Sequence, residues 1–460
     1  MSLDPKQFFR ATNPSKTLNI NKPEDAQYYI DFSEVRGGQV IDELCNKISW
    51  SDQFTCSLFT GHIGCGKSTE LFRLQDKLER EENFIVLYFE ADDDLNMGDI
   101  EISDILLAIA RRVSKILEGF NQENKENQLK GVLQKAKELL LTKFEVDVNG
   151  QIPGVGDFGI KFDEQKNVNF TLSTMLGKIT AKTKGDSNLS NRLRGYLEPR
   201  TEGILEVLNE GLFIPVDKEL KRQNKGGLVV IIDNLDRVIN IKKDSGTLQS
   251  NYIFAQRGSS LSRLSCHLVY TMPLDLRYSD DYPIVVQKFK SNPIVLPMVP
   301  PKVRDGKDND LGMKLLKKMV LVRAFPNLSN QYDYLSEEEI LNKITEVFDD
   351  VETLNTLCLA SGGHVRNLLI ILNDWIKKDK QLPLSLAGLN KVLTNELSEK
   401  VQGITSDEWE LLRKVKEEKT VSGDYQYEKL IRNLLVYEYR DDQGSWYDVN
   451  PILLMSDKLS

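Results

Sequence analysis

Residues 61–68 read Gly61-His62-Ile63-Gly64-Cys65-Gly66-Lys67-Ser68: a glycine, four residues, then Gly-Lys-Ser. Glycines at this spacing let successive backbone N–H groups turn inward into a concavity that fits phosphate oxygens. Lys67 then reaches the terminal phosphates, and the Ser68 hydroxyl, with Thr69 behind it, is left free to ligate Mg²⁺. The flanks agree with this reading. An apolar, β-rich run at 54–60 leads in, and Leu71, Leu74 and Leu78 recur at helical spacing behind. A chain with this unit binds a nucleoside triphosphate, and its fold must supply a buried strand, a loop and a helix in that order.

A second signal lies at Leu228-Val229-Val230-Ile231-Ile232-Asp233-Asn234-Leu235-Asp236-Arg237. An apolar run ending in a carboxylate is the pattern of a central parallel strand that presents an acid at the sheet's carboxyl edge. Asp233 is therefore assigned to Mg²⁺, directly or through water, and Asp236 to orienting and activating the attacking water. Further strands are expected at 84–90, 266–273 and 292–298, with helices at 100–117 and 248–264, so the class is α/β with a parallel sheet. Thr271, near the tip of the 266–273 strand, is a candidate for sensing the γ-phosphate, and Asp92, Asp93 and Asp94 read as a solvated loop.

Ahead of the phosphate loop, residues 28–33 are too aromatic for a loose tail. With Val35 and Arg36 they are placed to wall the nucleotide base, or to form an edge of the core. From about 120 to 223 the strand–helix rhythm breaks, and this stretch reads as an insertion. Its formal GxGxxG, 154–159, leads into an expected strand at 160–162 and so reads as a hairpin or bulge instead of a second nucleotide site. Arg192, Arg194 and Arg200 near its end suit either a partner or a solvated face. His267 reads as a core residue, since no second ligand lies at metal spacing. Beyond Pro300-Pro301 the pattern is helical, and Arg366 falls in the first turn of a helix that follows Gly362-Gly363, where a cation opposes the helix dipole and needs an anion. The last eighty residues read as helices followed by a hairpin, the outline of a winged helix, with Lys429 and Arg432 placed for DNA. A protein-binding use of that module fits equally. The 460 residues carry a net charge of −9, against a surface that is one nucleic-acid footprint, and five scattered cysteines without a framework fit a reducing compartment. No apolar run is long enough to span a membrane, so a cytoplasmic location is expected.

The order of these parts resembles the AAA+ and STAND branch of the P-loop ATPases, most closely origin-recognition-type AAA+ ATPases and KAP- or NACHT-like prokaryotic switch ATPases. Gly61 to Ser68 matches Walker A, Val229 to Asp233 Walker B, Thr271 sensor one and Arg366 sensor two. The resemblance implies a P-loop ATPase core at 51–300 behind an N-terminal segment at 1–50, an α-helical lid at 301–380 and a winged-helix-like domain at 381–460. The AAA+ pattern has Glu directly after the Walker B Asp; here Asn234 stands there, and the Asp-x-x-Asp form favours Asp236 and slow hydrolysis. The resemblance also implies a homo-oligomer with Arg257 or Arg263 as an arginine finger in trans. The activity it implies is an ATP- and Mg²⁺-dependent switch acting through self-assembly or a partner protein in prokaryotic defence or signalling. The alternative is an ATP-dependent DNA-binding initiator or loader.

Overall fold

A computed structural model describes residues 3–124, 127–146, 151–152, 155–157, 171–184, 187–243, 245–423 and 425–459. Its centre is a parallel sheet of five strands: β1 (Cys56–Thr60), β2 (Ile85–Glu90), β3 (Leu228–Asp233), β4 (His267–Met272) and β5 (Ile294–Val295), in the spatial order β2-β3-β4-β1-β5. The register sets Glu90 opposite Asp233 and Thr60 opposite Met272, so the strand tips share one edge. From β1 the chain crosses to the far edge at β2 and returns through β3 and β4. The phosphate loop and the Asp233 tip therefore flank β4, at the crevice where α/β sheets hold ligands.

Side chains alternate along each strand, and both faces are covered. Val230, Ile232, Leu268 and Tyr270 point into a cluster with the helix α3 (Ile102–Asn124). Val229, Ile231, Val269 and Phe59 point the other way, onto α1 (Val40–Ser49) and α2 (Lys67–Arg80). The helices expected from Val40, Ile41, Leu44 and Ile48, and from Leu71, Leu74 and Leu78, bury those residues.

The described residues of the 120–223 stretch are part of this core. Its helices carry Leu140, Met175, Leu197, Leu205 and Leu220 into the same cluster as the first sheet face. Gln151–Ile152 pairs antiparallel with Gly156–Asp157, a hairpin at the GxGxxG; the strand expected at 160–162 lies outside the described residues. Arg194 is buried, ion-paired to Asp99 and to Asp104 at 3.0 Å, so it braces the core instead of facing a partner. The acidic triplet after β2 lies in a short helix, Ala91–Asp94, in which Asp92 and Asp93 are exposed, as the solvated reading expects, while Asp94 is buried between Arg111 and Arg112 at 2.6 Å each, which corrects that reading for Asp94. The helix expected at 248–264 is broken into short turns around a wide turn at Tyr252–Gln256.

After the sheet come α4 (Asp310–Ala324), α5 (Val351–Ser361), α6 (Val365–Asp379) and α7 (Leu386–Val401). Their apolar cluster takes in Phe8, Ile30, Phe32 and Val35, so the aromatic N-terminal segment packs on this helical lid. The chain ends in α8 (Ser406–Glu418), α9 (Tyr425–Arg432) and a hairpin of β6 (Val436–Asp441) and β7 (Gly444–Val449), a winged helix. One face of the hairpin, with Val436 and Val449, joins α8 and α9; the other sends Tyr437, Tyr439 and Trp446 into the cluster around the phosphate loop. No helix among the described residues is long and apolar enough to cross a membrane.

Candidate functional site

The phosphate loop runs from the end of β1 to the first turn of α2. Gly66 caps α2 with φ +107°, a left-handed conformation open to glycine. Gly64 has φ +91°, and a Cβ there would lie 2.6 Å from His364 Cε1 and 2.9 Å from Arg366 Cβ. Glycine at 64 thus lets the lid helix α6 sit directly on the loop. The Arg366 N–H donates to the Gly64 carbonyl at 3.2 Å.

Lys67 is buried and donates to the Gly61 and His62 carbonyls at 2.7 and 3.0 Å; its ammonium also pairs with Asp236 at 2.9 Å. Burial alone would lower its pKa, but Asp236 and its neighbours hold it above the ordinary lysine value. Asp233 is 1% exposed; its Oδ2 accepts from Tyr88 Oη at 2.7 Å and its Oδ1 from the Asn234 N–H at 2.7 Å. Ser68 and Asp233, the two oxygen donors assigned to a metal, line one cleft. Hard oxygen donors of this kind fit Mg²⁺, and two carboxylate oxygens already in hydrogen bonds suit binding through water. No group of three or more His, Cys, Asp or Glu that could hold a metal by itself occurs among the described residues.

One cleft is lined by Ile63, Gly64 and residues 66–69 of the loop, by Asp233, Asn234, Asp236 and Arg237, and by Val365, Arg366 and Leu369 of the lid. Its remaining wall is Pro14, Lys16, Thr17, Leu18 and Arg323. The N-terminal segment does reach the site, but through these residues. Val35 is buried in the lid cluster, and Arg36 donates to the Cys65 carbonyl at 2.8 Å, bracing the loop from outside the cleft. Cys65 is buried with its thiol toward the Leu296 carbonyl at 3.6 Å, and Gly61 lines a neighbouring cavity.

Thr271 does not line the cleft. It is fully buried, and its Oγ1 accepts from the Leu235 and Asp236 N–H groups at 2.9 and 3.4 Å, so it fixes the turn that carries Asp236. Asn234, left-handed at φ +61°, donates to Glu90 at 2.9 Å and Asp92 at 3.0 Å. Burial, with Asp92 and Asp233 nearby, raises the Glu90 pKa. Arg366 makes no ion pair with a described residue; burial, then the Arg237 charge, lowers its pKa. Arg257 and Arg263 are held by Glu198 and Glu202 at 2.6 Å each.

Two histidines that motif reading passes over tie the parts together. His62 is buried, and its Nε2 accepts the Glu438 N–H of β6 at 2.9 Å. His364 caps α6 by accepting the Asn367 N–H on Nδ1 at 2.9 Å, which leaves Nε2–H to donate to the Ile63 carbonyl at 2.8 Å. The Tyr437 ring packs against both, 5.7 Å from each. Burial pushes both pKa values down, aided by His364 and Lys67 beside His62 and by Arg366 beside His364, and takes that of His364 to about 4. On the far side of the hairpin, Glu438 is buried against Arg277 and Tyr278 at 2.6 Å each.

No family model and no curated protein matches the sequence. Among solved structures the chain is similar to the Walker-type ATPase of Pyrococcus abyssi, at 11% identity and a TM-score of 0.43, covering 97% of this chain and 99% of that one. It is similar to Cdc6p from Pyrobaculum aerophilum, at 13% identity and a TM-score of 0.35, covering 98% and 96%. The Aeropyrum pernix Orc1 protein in complex with DNA matches at 10% identity and a TM-score of 0.35, covering 96% and 93%.

Proposed function

We propose that this chain is an ATP-hydrolysing switch in which the phosphate loop sets the positions of both the helical lid and the winged helix. The observation that supports this best is that all three parts meet on three consecutive loop residues. His62 accepts from the wing, Ile63 accepts from the lid and Gly64 accepts from the first turn of the same lid helix. A loop that closes on phosphates turns its backbone, and these bonds turn with it. The division into core, lid and wing near residues 300 and 380 belongs to this proposal.

In the working arrangement the loop N–H groups and Lys67 hold the phosphates, and Arg366 approaches from the lid. Ser68 and Asp233 would hold Mg²⁺, which supplies charge neutralisation of the phosphate chain when bound. Asp236 takes the proton of the attacking water. In the present structure Asp236 pairs with Lys67, so it serves as a base only after phosphate oxygens draw the ammonium away. With Asn234 in the place of a glutamate, turnover is slow, as suits a timed switch. The output module is the winged helix, with self-assembly or a partner protein as what it controls. Phosphate release and hydrogen exchange test this. Wild type should hydrolyse ATP and change exchange at 436–439, and Lys67→Ala should do neither. ATP binding with unchanged exchange in the hairpin would sink the coupling.

The second reading, ATP-dependent binding of duplex DNA as an initiator or loader does, is favoured by the module itself: α9 ends in Lys429 and Arg432 and is followed directly by a hairpin wing. It is the use that the similar structure in complex with DNA brings to mind, and it shares the same ATPase core.

A further inference from the structure

Arg323, in the last turn of α4, is 4% exposed and lines the nucleotide cleft. It faces no carboxylate: among the described residues its side chain donates one hydrogen bond, to the Met319 carbonyl one turn back at 2.8 Å, and lies 5.8 Å from the Tyr28 ring. A cation in a helix's last turn is favoured by the dipole, and that explains the contact with Met319. It does not explain the burial. An arginine stem is long enough to carry its head to water, and an isolated charge taken out of water is costly without a counter-charge. A guanidinium stays protonated throughout the physiological range, so this residue cannot escape the cost by losing its proton. The other buried arginines of the chain are served differently. Arg194 has two carboxylates, and Arg36, whose hydrogen bond is likewise to a backbone carbonyl, has the Glu70 carboxylate near enough to act on it.

We propose that Arg323 is a phosphate ligand contributed by the lid, whose missing counter-charge is the phosphate chain of the nucleotide. This rests on the nucleotide-switch reading above. The neutral base and ribose offer acceptors but no charge, whereas a nucleoside triphosphate brings several negative charges into a cleft already shared by Lys67, Arg237 and Arg366. Arg323 and Arg366 stand on two different lid helices, α4 and α6, so a nucleotide gripped by both would fix the lid as a body. The same unpaired charge loosens the lid when no phosphate is present.

The test is thermal unfolding and equilibrium binding for wild type, Arg323→Met and Arg323→Lys, each with ATP, ADP and adenosine. Arg323→Met should melt no lower than wild type without nucleotide, because an apolar side chain of similar length replaces an unpaired charge. Its affinity for ATP and ADP should fall about tenfold or more, the worth of a charge-assisted hydrogen bond. Arg323→Lys should lie between the two, and adenosine affinity should be unchanged across the series. ATP affinity within about twofold of wild type in Arg323→Met, or an equal loss for adenosine, overturns the proposal. Should Arg323→Met fail to fold without nucleotide, Arg323 is a structural residue and the proposal is likewise overturned. No stabilisation of wild type by any nucleotide would instead overturn the nucleotide reading itself.

Discussion

Lys67 and Asp236 illustrate how much of the chemistry is carried by single side chains. Each is buried, and their ion pair keeps the proposed base and the proposed phosphate-binding cation in one place. Changing Asp236 to Asn keeps the shape and removes the charge. Phosphate release should drop by about 10²–10⁴-fold, the usual contribution of a positioned base. ATP binding should hold or tighten, because Lys67 loses its competitor and a negative charge leaves the cleft. Single-turnover phosphate release beside equilibrium binding separates the two, and a mutant that turns over at the wild-type rate removes Asp236 as the base. The residues of this pair, with Asp233, Ser68 and Arg366, were legible because each lies within a few positions of a glycine loop or a strand tip. Leu18, Thr17, Arg323 and Glu90 were not, since they come to the site by tertiary packing; only Glu90, at the end of an apolar run, left a local trace. Thr271 was found by its position on β4, yet its hydroxyl supports the Asp236 turn from behind.

At the level of elements, the strands read cleanly because their apolar runs are continuous and both faces are buried. The 248–264 stretch misled because its periodicity is helical while Gly258 sits where a Cβ would lie 2.7 Å from the Phe289 ring, a close approach that accompanies the broken turns. The joint between loop, lid and wing carries a pH signature. His62 and His364 are both neutral in the fold, and each uses an imine nitrogen to accept a backbone N–H. A proton on either nitrogen would set donor against donor. In the unfolded chain a histidine titrates near pH 6.5, whereas folded His364 titrates at about 4. Below the unfolded value the unfolded chain therefore binds more protons, and stability falls as pH drops through the interval from about 6.5 to about 4, by up to about 1.4 kcal/mol per pH unit for His364, and the lowered pKa of His62 acts in the same direction. His364→Asn keeps a helix-capping acceptor and cannot titrate, so its unfolding midpoint should depend less on pH between 7 and 5 than that of the wild type. Parallel profiles for the two would rule out this joint as an acid-labile contact.

Across the whole molecule, the wing is held to the core on two sides: by His62 and Glu438 at the phosphate loop, and by Arg432, which pairs with Asp275 just beyond β4 and with Glu428 of its own helix. Lys429 is likewise paired, with Glu408 at 2.7 Å. Neither cation is free for phosphate as the chain stands, so DNA binding through α9 would require both pairs to open. Asp275 then acts as a brake that the core applies to the wing. This gives the DNA reading a sharp expectation. Asp275→Asn releases Arg432 without touching α9 and should raise affinity for duplex DNA and weaken its dependence on ATP. Lys429→Ala and Arg432→Ala should each lower the salt slope of that binding by about one. Anisotropy titrations of a labelled duplex across a salt series measure both effects. Absence of binding at low salt by wild type with ATP and by Asp275→Asn alike would exclude duplex DNA. The same wing, still tied to the phosphate loop, would then act on a protein surface, and light scattering with ATP and with ADP would show whether that surface belongs to a second copy of the chain.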